Sequence, residues 1–377
     1  MRFVVLLLFS FATHGDDTVW RAKMQNVSVA LGAVVPYLYP NPEKDVKNLT
    51  EKLRVLFEAS QRLDLNRDHI IKTGDSDPGL AFVFRSFQDD VARAYFSARD
   101  GYTQYAQYVI GNTAAYCVAC HTRAPTNEQF PVLKSFDESL KSAPWITQIQ
   151  FQSAARQFDE VYARVIERLQ SSKGQPASTL DLERAARLAL SISIRVKEDP
   201  KAALKLAKAV QNSKHANYPM KHSAIEWEKE VRSWMKEKRR DLFSAPQMLD
   251  EGRRLVAKAE DSKTHGPDEV NYLRATQVLH RLLRTFPESP EVPESLYLIG
   301  QAYMPLQELG LWNLQEKYFE ACIYRAPHTE LAERCYKRFE RSVVFGYSGS
   351  SGVHIPGDVS QQLHHLKAQA ERVKELL

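Results

Sequence analysis

The sequence predicts an all-α protein: a four-helix up-down bundle followed by a longer α-helical repeat region. Three observations carry that prediction. Apolar residues recur at spacings of three and four along most of the chain, the period of an amphipathic helix. Asp or Asn followed by Pro, a helix-start signal, punctuates those stripes. The 377 residues are 44% hydrophobic and 26% charged, enough apolar material for sizeable cores and too much for a disordered chain. With 15 Gly, 18 Pro and 4 Cys, the chain is neither low-complexity nor a disulfide scaffold. Its charge is 51 − 46 = +5, too mild an excess to single out nucleic acid as a partner. No apolar run reaches the ~18 residues of a conventional membrane span.

The chain opens with an address. Arg2 precedes an apolar run from Phe3 to Ala12, and Ser10, Ala12 and Gly15 offer small residues for cleavage. The run is too short to cross a ~30 Å bilayer as a helix and reads as a secretory signal peptide, assigned to residues 1–15. The mature chain is then expected outside the cytoplasm.

Four helical segments follow, assigned to a domain over residues 16–126. The first carries Trp20, Met24, Val27, Leu31, Val34 and Leu38, and Pro36 and Pro40 end it. Asn41-Pro42-Glu43 starts the second, with Val46, Leu49, Leu53, Leu56 and Leu63 as its stripe. Asp77-Pro78 opens the third, which carries Leu80, Phe84, Phe87, Val91 and Ala94. After the Asp100-Gly101 break, one fourth helix is expected through Tyr105, Tyr108 and Tyr116 until Pro125 stops it. Short connections make neighbouring helices antiparallel.

The fourth helix contains Cys117-Val118-Ala119-Cys120-His121, the C-x-x-C-H attachment signal for c-type haem. On a helix, residues 117, 120 and 121 share a face. Two thiols there reach the two vinyl groups of one porphyrin, and the adjacent imidazole serves as proximal iron ligand. Three other readings are weaker. Zinc needs more ligands, and no second C-x-x-C or H-x-x-x-H exists. A thioredoxin-like redox pair needs a βαβ context that is not visible. A disulfide across C-x-x-C on a helix has poor geometry.

Up-down topology puts the start of the first helix beside the end of the fourth. Met24 and His121 then lie at similar depth, and the Met24 thioether is a candidate distal ligand giving a six-coordinate haem. An ordinary core methionine is the competing reading. Arg21, Lys23 and Arg123 stand near that end as candidate propionate partners. His69, in the connection between the second and third helices, is the remaining alternative ligand.

Cys117, Cys120, His121 and Met24 in this arrangement resemble the class II c-type cytochromes, comprising the cytochrome c-prime group and its low-spin, methionine-ligated relatives. The resemblance covers about residues 18–125. It implies thioethers at Cys117 and Cys120, proximal ligation by His121 and distal ligation by Met24. The family often places an aromatic and a basic residue after the His; this chain reads Thr122-Arg123.

Residues 127–145, with Pro131 and Pro144, read as a linker, and 146–377 as helical hairpins. Leu279, Leu283 and Phe286-Pro287 recur forty residues on as Phe319, Ile323 and Ala326-Pro327. Each half reads helix, Pro turn, helix. This resembles a tetratricopeptide-like solenoid, a fold that presents extended binding surfaces. Cys322 and Cys335 straddle the second Pro turn, where a disulfide or two buried thiols are both possible in an oxidising compartment. The basic run 229–240, with Trp234 and Met235, reads as a solvated face or a docking strip. A flexible loop is expected over 346–352 and an amphipathic helix over 358–377.

The function expected is one-electron transfer by a periplasmic, haem-bearing protein of a Gram-negative bacterium, with the helical repeats docking the redox partner. The alternative is a gas-binding or sensing protein with five-coordinate iron. No acid-base pair suggests an enzyme such as a peroxidase.

Overall fold

The computed structural model describes residues 15–38, 47–64, 77–123, 140–141, 143–171, 178–238, 240–261, 268–306, 311 and 313–372. The described chain is all-α apart from one two-residue hairpin. The candidate signal peptide, His69 and most of the linker lie outside the described residues.

The first helices are α1 (Gly15–Val34), α2 (Lys47–Gln61), α3 (Pro78–Arg99), α4 (Thr103–Asn112) and α5 (Ala114–His121). Helix α1 packs on α2, α2 on α3, and α3 on both α4 and α5. The sequence stripes become one apolar core holding Val27, Leu31, Leu49, Leu53, Phe87, Val91 and Ile110. Trp20 lies against Phe84, ring centroids 6.2 Å apart, joining the starts of α1 and α3. At the other end Gln107 donates to the Tyr37 carbonyl at 2.6 Å, joining the turn after α1 to α4. These helices therefore alternate in direction.

Their ends follow local chemistry. Helix α1 tightens into a 3₁₀ turn, Val35–Tyr37, at Pro36. Asp77 caps α3 by accepting from the Leu80 N–H at 3.1 Å, with Pro78 in the first turn. Asp100-Gly101 turns the chain with Gly101 at φ +90°, a region glycine enters without strain. The single fourth helix expected from sequence is two. At Thr113 the N–H bonds the Ile110 carbonyl, three residues back, at 3.1 Å, and the hydroxyl donates to the same oxygen at 2.7 Å. That local bonding interrupts the regular ladder.

The next helices are α6 (Trp145–Ala154), α7 (Phe158–Gln170), α8 (Thr179–Ser191), α9 (Pro200–Asn212) and α10 (Tyr218–Lys236), with a π-helical turn, Ile192–Val196, after α8. They gather a second core around Val161, Val165, Leu182, Leu206, Trp227 and Val231. Helices α11 (Ala245–Glu260), α12 (Glu269–Thr285), α13 (Val292–Leu306), α14 (Leu314–Arg325), α15 (Glu330–Gly346) and α16 (Gly357–Ala370) stack in chain order over a third.

The forty-residue repeat has a structural counterpart. Phe286 and Ala326 end α12 and α14 with nearly the same backbone, φ −132°, ψ 59° and φ −139°, ψ 52°. Leu279 and Phe319, also forty residues apart, each press on a glycine of the preceding helix. A Cβ on Gly252 would stand 2.5 Å from Leu279, and one on Gly300 would stand 2.6 Å from Phe319. Cys322 and Cys335 are disulfide-bonded, fastening α14 to α15. The loop expected over 346–352 contains a tight hairpin in which Ser348–Gly349 pairs with Gly352–Val353.

The C-x-x-C-H helix is where the three cores meet. Cys117 packs against the first, Val118 belongs to the second and Ala119 to the third.

Candidate functional site

The last turn of α5 is closed by its own neighbours. The Thr122 hydroxyl donates to the Val118 carbonyl at 2.8 Å, and Arg123 Nε donates to the Ala119 carbonyl at 3.0 Å. The Val118 carbonyl also takes the Thr122 N–H at 3.0 Å, while the Arg123 side chain serves the Ala119 carbonyl, which the Arg123 N–H bypasses for Cys120.

His121 is buried. Its Nδ1 donates to the Ala154 carbonyl at the end of α6, at 2.6 Å; a carbonyl can only accept, so the proton sits on Nδ1 and the lone pair on Nε2. Burial, reinforced by nearby Arg156, pushes the imidazole down to about 3. The ring is therefore neutral at physiological pH. A neutral histidine held through one nitrogen by a carbonyl is the usual form of a metal-binding imidazole.

Cys117 and Cys120 are half-buried and not disulfide-bonded. Burial first, then the neighbouring thiol, pushes Cys117 up to about 12. Burial also raises Cys120. Both shifts run opposite to the lowered thiol that marks a reactive redox cysteine. Among the described residues, no group of three or more His, Cys, Asp or Glu side chains gathers as a metal-ion site. Two unbonded thiols and one neutral imidazole within five residues are the side-chain types that c-type haem attachment uses, two for the porphyrin and one for the iron.

Met24 is half-buried and packs, like Cys117, against the first core. Arg21 is exposed on α1. Arg123, the other candidate propionate partner, is buried and committed elsewhere. Its Nη1 reaches the two Asp77 carboxylate oxygens at 3.1 and 3.0 Å and donates to the Tyr318 hydroxyl. Tyr105 and Tyr108 stay on the surface.

Arg123 leads to a polar cluster that sequence reasoning missed. The Tyr318 hydroxyl donates to Asp77 Oδ1 at 2.7 Å. His280 Nδ1 stands 3.1 Å from Asp77 Oδ2, off the hydrogen-bond line, and its Nε2 bonds the Tyr303 hydroxyl at 2.8 Å. Tyr303 and Tyr318 stack, centroids 5.5 Å apart. Arg195, on the π-helical turn, donates to the Thr276 hydroxyl at 2.9 Å and faces the Tyr303 ring at 5.3 Å. Burial alone would raise the Asp77 carboxyl, but the Arg123 charge, with His280 and the Tyr318 hydroxyl beside it, outweighs it and holds the group well below the carboxylate range. Burial pushes His280 down to about 4 against the pull of Asp77. Asp77 could be read from sequence only as a helix cap.

A cavity of about 640 Å³ opens on the opposite face of α5, against Tyr116, Val118 and Thr122. On the basic run, Arg232 donates to Glu228 at 2.6 Å and Arg240 to Glu251 at 3.1 Å. Among the described residues no helix is long and apolar enough to cross a membrane. No protein-family model matches the chain, and no curated protein and no solved structure matches it.

Proposed function

We propose that the protein is an exported c-type cytochrome that carries one covalent haem and transfers single electrons. The observation that carries this reading is the last turn of α5, where the neutral His121 ring is anchored at Nδ1 beside two protonated, unbonded thiols. Cys117 and Cys120 hold the porphyrin through thioethers, and His121 binds iron through Nε2. The Ala154 carbonyl orients the imidazole. Met24 supplies the distal sulfur, in keeping with its place against the core that also receives Cys117. When bound, the haem supplies a one-electron Fe(III)/Fe(II) couple. The packed helices around it limit reorganisation and exclude water. The first helices act as a four-helix haem bundle of the class II kind. The stacked helices α11–α16 dock the redox partner.

The test is expression in a host that attaches haem c in its periplasm, followed by absorption and EPR spectroscopy. A covalently bound haem with low-spin spectra supports the reading. High-spin spectra reject Met24 as ligand and favour gas binding. A colourless protein with both thiols open to alkylation overturns the proposal.

A further inference from the structure

We infer that the C-terminal helices grip the C-x-x-C-H helix through the buried cluster of Asp77, Arg123, Tyr318 and His280, with Asp77 and Tyr318 acting as positioning residues for His121. The consequence for His121 rests on the haem reading; the grip itself does not.

Arg123 lies two residues past His121, and its Nε bond to the Ala119 carbonyl fixes its side chain against the turn that carries the motif. The same guanidinium holds Asp77 and Tyr318. Asp77 at the same time caps α3. The start of α3, the end of α5 and the middle of α14 therefore converge on one carboxylate. Asp77, Arg123, His280 and Tyr318 are 7%, 5%, 3% and 0% exposed, so water does not share these bonds. The backbone is shaped to admit the tyrosine: a Cβ on Gly79 would stand 2.2 Å from the Tyr318 hydroxyl. Any side chain at that position would displace the hydroxyl from Asp77.

A buried ion pair is a poor source of net stability, because desolvation offsets much of the attraction and apolar groups of the same shape often serve as well. Its best-attested contribution is to fix register. The register fixed here is that of the helix end bearing His121. That residue is held from the other side by the Ala154 carbonyl. The turn bearing His121 is thus tied twice, at the imidazole by the end of α6 and, two residues on at Arg123, by α14. On this view the repeats are part of the haem site as well as a surface for partners.

Tyr318→Phe tests the grip, since it keeps the ring stack and removes the hydroxyl by which α14 bonds both Asp77 and Arg123. Tyr324→Phe, on an exposed tyrosine of the same helix, is the control. In the haem-free protein, Tyr318→Phe is expected to speed maleimide labelling of Cys117 and Cys120 about tenfold, the effect of one lost buried hydrogen bond, while Tyr324→Phe leaves the rate unchanged. In the haem-loaded protein, the midpoint potential is expected to move by about 59 mV, a tenfold change for a one-electron couple. Labelling at the wild-type rate, or an equal effect from Tyr324→Phe, overturns the grip. Faster labelling with an unmoved potential overturns the positioning of His121. Should wild type carry no haem, the haem reading falls and labelling still decides the grip. If Tyr318→Phe fails to fold, hydrogen exchange on wild type decides: amides of 118–123 opening together with α14 support the grip, and independent opening overturns it.

Discussion

Two cysteine pairs share this chain and meet opposite fates. Cys322 and Cys335 are 13 residues apart on facing helices, with Cα atoms 6.3 Å apart, and they are bonded. Cys117 and Cys120 are far closer in sequence and remain thiols. Direction decides, not proximity along the chain. Side chains one turn apart on a helix lean the same way, whereas those on facing helices of a hairpin converge. On the proposed function, the pair that stays open keeps both sulfurs for the porphyrin. The pair that does close fastens α14, the helix carrying Tyr318.

The largest expected effect separates the pairs outright. Cys117→Ser with Cys120→Ser should abolish covalent haem, read by haem staining of a denaturing gel, while Cys322→Ser with Cys335→Ser should keep the stain. Loss of stain from both double variants would break the comparison. Next, Met24→Ala should keep the stain but convert low-spin spectra to high-spin; an unchanged EPR spectrum removes Met24 from the ligand set. On stability, Cys335→Ser should lower the unfolding free energy by about 3 kcal/mol in urea titrations, as expected for freeing a loop of this size. Gly79→Ala should cost about 2 kcal/mol by overpacking against Tyr318. Adding Tyr318→Phe should recover part of that loss, and strict additivity would deny the contact.

The smallest effect is a pH slope. Burial brings His280 down to about 4 when folded, from its ordinary 6.5. Below pH 6.5 the unfolded chain takes up a proton that the folded protein refuses. Stability should therefore drop as pH falls from about 6.5 to about 4, by at most about 1.4 kcal/mol per unit from this group. His280→Gln should make the slope shallower; an equally steep slope in urea titrations would show that His280 is not held neutral.

The contrast between the pairs also marks what could be read in advance. The stripes of α1, α2 and α3 were legible because a 3.6-residue period held over several turns, and at α3 the Asp77-Pro78 start agreed with it; the start signal at residues 41–43 lies outside the described residues. The C-x-x-C-H face was legible because its chemistry is confined to five consecutive residues. The break at Thr113 was not, since it depends on a hydroxyl competing for the Ile110 carbonyl within an otherwise good helical pattern. Nor was the role of Arg123. Its partners Asp77 and Tyr318 lie 46 and 195 residues away, and no local pattern links them. Nothing in the local sequence singles out Gly79; the Tyr318 hydroxyl above it explains why no side chain stands there.

The bond from Tyr318 to Asp77 spans 241 residues of chain. Closing so long a loop is entropically costly, and contacts of that separation form late. If the chain is exported stepwise, as the proposed function has it, the first five helices emerge well before α14 arrives. The cysteines and His121 thus pass through a period in which their helix has not been locked from behind. That interval is a natural window for loading a bulky planar group, after which arrival of the chain's last third would shut the door.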